Sequence, residues 1–270
     1  MTLHRPTAAT ALLAALLAWG PAAAAGAPAV DIAPHQASYK LSLASSRNGS
    51  TIAAVSGRMT FAWNDACDGW TTEQRFQMRF LYSAGEESEV STSYATWEAK
   101  DGATYRFNVR KLVNGQVDEE LKGDARLKGD QGGQVRYEKP KELTLELPPG
   151  TMFPSAHTER LISLAGEGQS FFVRPIFDGS ETDGAVNVSA VIGRRPQGAP
   201  ELPEAKLRTD QSWQVHLAFY PKDEQEALPD YETGLLLLGN GVVQSMLIDY
   251  GDFKVNAELE KIEALPRPRC

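Results

Sequence analysis

The sequence predicts an all-β chain with a single helix, built around one long antiparallel sheet. Three observations carry that prediction. Apolar and polar residues alternate along nearly every segment after Pro34, the period of a strand with one buried face. Asx-Gly dipeptides separate those segments at close spacing and tolerate the positive φ angles of tight hairpins. Only residues 154–166 change to helical spacing.

In chain order, the first 29 residues are MTLHRPTAATALLAALLAWGPAAAAGAPA. A short basic start with Arg5, an apolar run from Ala8 to Trp19, a Gly20-Pro21 break and Ala23-Ala24-Ala25 read as a cleavable export signal, cut after Ala25. The apolar run is too short for a comfortable membrane span, and no other segment approaches about 20 consecutive apolar residues. Residues 26–270 then form the mature chain, read as one domain, and loss of Arg5 moves the net charge from −8 to −9. An acidic chain without a Lys/Arg cluster is a poor partner for nucleic acid. The same balance disfavours simple docking on anionic lipid.

The clearest strand runs from Trp70 to Tyr82, with Trp70, Phe76, Met78, Phe80 and Tyr82 on one face and Glu73, Arg75, Gln77 and Arg79 on the other. The pattern returns at Tyr105, Phe107 and Val109, at Trp213, Val215, Leu217 and Phe219, and at Phe253, Val255, Ala257 and Leu259. Asp101-Gly102, Asn114-Gly115, Asp183-Gly184 and Asn240-Gly241 mark the turns. This spacing implies about a dozen strands or more, too many for a flat sheet, so the sheet curls or closes. Between them, Pro154 and Ser155 start a helix that Gly166 stops, with Thr158, Leu161, Ile162 and Ala165 on one face. A lone amphipathic helix in such a chain packs on the concave face or plugs an open end. RRPQGAPELPEAK, residues 194–206, reads as a surface loop.

Candidate chemistry is sparse. His35, His157 and His216 are the histidines left after the signal, with no G-x-S-x-G elbow and no H-E-x-x-H pair beside them. His216 reads as a solvated strand residue, His157 as a residue of the first helical turn, and His35 as the start of the first strand. Asp178, Ser180, Glu181 and Asp183 supply oxygen donors in FDGSETDG, but a helix-loop-helix calcium loop places Gly and Glu where Asp183 and Ser189 stand. A turn is the better reading, and no metal or cofactor site is assigned. The two cysteines, Cys67 and Cys270, lack redox spacing and read as one long-range structural disulfide of an exported chain. Strand-face aromatics such as Trp63, Trp70, Trp97 and Trp213 are core residues that could also line a lipid cavity, and no ligand-binding residue is assigned among them.

APHQASYKLSL at 33–43, GRMTFAWNDACDGW at 57–70, DGATYRF at 101–107, FPSAHTERLI at 153–162, FDGS at 177–180, VIG at 191–193 and the terminal Cys270 follow one another across the chain. Together they resemble the EipB family of exported bacterial cell-envelope integrity proteins. The resemblance implies a sheet wound into a spiral or broken β-barrel, which leaves the helix packed on its concave face, and a Cys67–Cys270 disulfide. It also implies a periplasmic, non-enzymatic role in envelope integrity, with an envelope lipid, lipoprotein or periplasmic protein as partner. An envelope-acting hydrolase near His157 or Asp178, and a purely structural protein-binding scaffold, stand as the alternatives.

Overall fold

The computed structural model describes residues 30–194, 201–220 and 228–270. The export signal expected at residues 1–25 therefore lies outside the described residues, as do positions 195–200 of the expected 194–206 loop. The first half of the chain forms β1 (His35–Ser46), β2 (Ile52–Asp65), β3 (Gly69–Tyr82), β4 (Glu87–Ala99), β5 (Thr104–Val113), β6 (Gln116–Leu127), β7 (Gly133–Lys139) and β8 (Leu143–Leu147). Helix α1 (Pro154–Gly166) follows, and then β9 (Phe171–Ile176), β10 (Val186–Ile192), β11 (Ser212–Tyr220), β12 (Tyr231–Leu238), β13 (Val243–Asp249) and β14 (Phe253–Ala264).

Among the described residues all fourteen strands join one sheet in the order β8-β7-β6-β5-β4-β3-β2-β1-β14-β13-β12-β11-β10-β9. The chain enters mid-sheet at β1, meanders to one edge, crosses by α1 to the other edge, and meanders back until β14 lies antiparallel beside β1. Adjacent hairpins explain the turn chemistry: Gly102, Gly115, Gly184 and Gly241 all adopt positive φ, and Asn114 precedes Gly115 at φ 52°. Two consecutive left-handed residues give a two-residue hairpin the twist of its strands. Bulges in the β1–β14, β5–β6 and β6–β7 pairings add further coiling.

The sheet curls without closing. One buried cluster joins Trp63 of β2 and Trp70 of β3 to Phe172, Ala190 and Val215 of β9–β11, through Leu161, Ile162 and Ala165 of α1. Strands so far apart in the order meet one helix only if the sheet wraps around it. The helix thus packs against the inner faces, where the apolar stripe Leu161, Ile162, Leu164 and Ala165 is buried. At the seam, Met152 forms an isolated parallel bridge to Ile176 of the edge strand β9. A second cluster fills the β1–β2–β14 region around Tyr39, Leu41, Val255 and Ala257. A third holds Tyr105, Phe107 and Tyr137 of β5 and β7 against Phe153 and Phe177, with Tyr105 stacked on Phe153 at 5.0 Å between ring centroids.

Two segments depart from the sequence reading. Part of the expected surface loop returns to the core: Leu202 is 2% exposed, as is Leu207 just beyond the loop. Asn240 Nδ2 donates to the Leu207 carbonyl at 2.9 Å. The segment 177–184, read as a turn, connects β9 to the neighbouring β10 as a strap laid against β5 and β7. Phe177 is fully buried, and the Tyr105 and Tyr137 hydroxyls donate to the carbonyls of Asp178 and Glu181 at 2.9 and 2.7 Å.

Candidate functional site

The inner faces of β2–β5 and of β11–β13 do not meet; they flank a cavity of about 780 Å³ that opens to solvent. The first turn of α1 and the strap 177–184 complete its walls. Residue alternation puts Thr72, Gln74 and Phe76 of β3 and Thr92, Tyr94 and Thr96 of β4 on this surface. Most are only half-buried, because the cavity stands in front of them. Thr72 and Thr96 hydroxyls hydrogen-bond across the strands at 2.6 Å. On the facing wall, Tyr231 stacks on Phe219 at 4.2 Å, and Tyr250 stacks on Phe253 at 5.1 Å.

Glu98, the last inward side chain of β4, ties the sheet to the helix. It is 2% exposed, and its two carboxylate oxygens each accept a backbone N–H, from Ser155 and Ala156, at 2.7 Å. No side chain of the helix's own N-cap residue, Phe153, does this. The first N–H groups of a helix have no internal partner and carry a partial positive charge, so a carboxylate there is well placed. Burial nonetheless pushes the Glu98 carboxyl up to about 7, against the pull of these two donors. Nearby, Trp70 Nε1 donates to Glu159 at 2.9 Å, and burial raises the Glu159 carboxyl as well.

The three histidines stand apart. His35 is buried, with Nδ1 2.8 Å from the Ala33 carbonyl oxygen, and burial lowers its pKa. His157 is buried in α1 and stacks on Phe172 at 5.7 Å; burial drives it down to about 4, and its Nε2 has no hydrogen-bond partner. His216 faces outward and pairs with Glu232 at 3.0 Å. Asp178 Oδ1 accepts from Ser180 N at 2.9 Å and from Ser180 Oγ at 2.7 Å, an Asx turn inside the strap. The strap sets Asp178, Ser180, Glu181 and Asp183 together on the cavity wall. Among the described residues no three His, Cys, Asp or Glu side chains converge as a metal site.

Of the tryptophans named from the sequence, Trp63 alone lines the cavity; Trp70 and Trp213 belong to the helix cluster. Trp97 faces outward, 4.9 Å beneath the Arg106 guanidinium. Thr72 and Gln74 on the otherwise apolar inner face of β3, and Thr92 and Thr96 beside them on β4, are the sequence signal of the cavity. Cys67 and Cys270 are bonded across a separation of 203 residues. Cys67 lies in the β2–β3 turn at φ 65°, with its N–H donating to Asp65 at 2.9 Å. Arg267 anchors the tail that carries Cys270 by donating to Asp31 at 2.7 Å and to the Ile32 carbonyl at 3.0 Å. No helix among the described residues is long and apolar enough to cross a membrane.

Comparison with known proteins gives one consistent group. The family model described as EipB-like matches residues 26–266. The "Cell envelope integrity protein EipB" of Brucella abortus (strain 2308) is 35% identical over 246 residues, spanning 89% of this chain and 87% of that protein. A crystal structure from Brucella abortus, described as a beta-barrel-like protein of a domain of unknown function, superposes with a TM-score of 0.80 at 34% identity. It spans 88% of this chain and all of the other.

Proposed function

Since the chain belongs to the EipB-like family, we propose that it supports cell-envelope integrity from the periplasm, as a non-enzymatic protein that holds an envelope component in its central cavity. The observation that carries the reading is the cavity itself. A volume of about 780 Å³ falls in the range of small-molecule sites, which are concave and mainly apolar with a few placed polar groups. A sheet that only needed a core would fill this space with side chains, since interiors are close-packed. Export fits the disulfide, which persists in oxidising compartments.

Hydrolysis is the weaker reading. His157 stacks on a phenylalanine, and its burial favours the neutral ring. Glu98 has a carboxyl raised into the range of a general acid, but both its oxygens are engaged by the helix. A protein-binding scaffold has one observation in its favour. Phe171 of the edge strand β9 is 61% exposed, beside its exposed cross-strand partner Val191, and edges of this kind accept a further strand.

The test is intact mass spectrometry of protein purified natively from the periplasm, with and without reductant, followed by organic extraction. A mature chain beginning at Gly26, two hydrogens lighter when oxidised and carrying a reproducible lipid, is the expected result. The same mass without extractable ligand moves the assignment to the scaffold.

A further inference from the structure

We propose that the cavity seats an uncharged saccharide, either the sugar headgroup of a lipid or a free glycan, against a band of hydroxyl and amide side chains on β3 and β4. The proposal rests on the carrier reading above and names the class of its ligand.

Strand register lays the band out. On the cavity wall Trp63, Thr72 and Thr96 stand in one cross-strand row, and Phe61, Gln74 and Tyr94 in the next. Each row opens on an aromatic ring of β2 and continues into hydroxyl or amide groups. These groups have hydrogen bonds left to make. Gln74 Nε2 donates to the Met59 thioether at 3.4 Å, a weak acceptor, and the Tyr94 hydroxyl makes no hydrogen bond among the described residues. Trp63, 4% exposed, carries an indole N–H without a partner, although buried donors are nearly always matched. The facing wall adds the hydroxyls of Tyr231, stacked on Phe219 at 4.2 Å, and of Tyr250.

That lining decides between ligand classes. A hydrocarbon chain laid over the band strips water from its amide and hydroxyl groups and returns no hydrogen bonds. A sugar packs its C–H face on aromatic rings and exchanges hydrogen bonds through its hydroxyls. Lys111 is the one cationic side chain of the lining among the described residues, and Asp118 engages it at 2.9 Å. Of the lining carboxylates, Glu98 is held by the helix and Asp178 by Ser180. The band itself carries no charge, so the group it matches carries none.

The experiment titrates the disulfide-bonded mature protein by calorimetry with octyl glucoside, 1-octanol, octyl sulfate, octyltrimethylammonium and maltose, each amphiphile below its micelle concentration or solubility limit. Octyl glucoside is expected to bind about tenfold more tightly than octanol or either charged probe, as one or two net hydrogen bonds would give. Gln74→Leu and Tyr94→Phe are each expected to weaken it about threefold while leaving octanol unchanged. Both changes nearly conserve volume, and thermal unfolding checks that the variants are folded. Maltose binding as well as the glucoside marks a free glycan as the source, and glucoside binding alone marks a lipid headgroup. Octanol binding as tightly as the glucoside, or a charged probe binding more tightly, overturns the saccharide assignment and leaves the carrier reading standing. No binding of any probe also overturns it, and the native organic extract then decides whether the carrier reading falls too.

Discussion

A buried carboxylate is favoured in its neutral form, and one that accepts two backbone N–H groups is favoured in its charged form; Glu98 meets both conditions, with burial the larger. Its folded pKa of about 7 lies above the ordinary 4.5, so the folded protein holds a proton that the unfolded chain has released between those values. The contribution is complete below 4.5 and is lost as pH rises through 7. Glu98→Gln removes this titration and turns an amide NH₂ toward a helix N–H, for an expected cost of about 1–3 kcal/mol. Urea midpoints of both proteins from pH 4.5 to 7 check it: the wild type's advantage shrinks as pH rises, and an advantage that grows would mean the N–H donors prevail. Taking the difference between the proteins cancels His35 and His157, whose lowered pKa values act with the opposite sign. His157→Leu is expected to change stability by less than about 1.5 kcal/mol, because Nε2 has no bond to lose and burial already favours the neutral ring; thermal unfolding measures it. The role of Glu98 is not legible in SYATWEAK, where it reads as one more alternating strand residue. Its partners, Ser155 and Ala156, are more than fifty positions away.

Strands, hairpins and helix were legible because their signals are local. Period-2 alternation located β3, β5, β11 and β14, three of the Asx-Gly pairs located hairpin turns, and Pro154 and Gly166 bound the helix as expected. The packing of the strap was not legible because FDGSETDG has the composition of a turn and no more, and only the tertiary partners Tyr105 and Tyr137 reveal where it lies. The burial of Leu202 was missed for a similar reason, as a lone apolar residue in a Pro-rich segment carries no period. Gly179 shows what the strap requires. It adopts φ 74°, and a Cβ there would stand 2.5 Å from the Phe107 ring. Gly179→Ala is therefore expected to cost about 1–3 kcal/mol, through backbone strain and overpacking. Urea unfolding measures the loss, and an unchanged midpoint would show that the strap moves aside without cost.

Strand order belongs to the whole molecule, and nothing local announces that β1 pairs with β14. The cysteines offered the only long-range hint, since two residues of that type, one in the β2–β3 turn and one at the chain end, join regions that the sheet also brings together. Closing a loop of 203 residues removes unfolded-state entropy worth up to about 5 kcal/mol. Cys67→Ser and Cys270→Ser should each lower the unfolding midpoint to that of the reduced wild type, and midpoints equal to the oxidised protein would sink the staple.

The pairing of β1 with β14 also has a meaning in time. Translation delivers β1 first and its second neighbour last, so for nearly the whole of synthesis the middle of the finished sheet is an open edge. Meander pairs such as β3–β4 can form as they emerge, but the two halves join only when Phe253–Ala264 arrives. Such a delay favours slow completion and exposes an unpaired strand in the interval. A nascent chain stalled within its last twelve residues of strand would therefore lack far more than one edge: it would be two half-sheets still waiting for their centre.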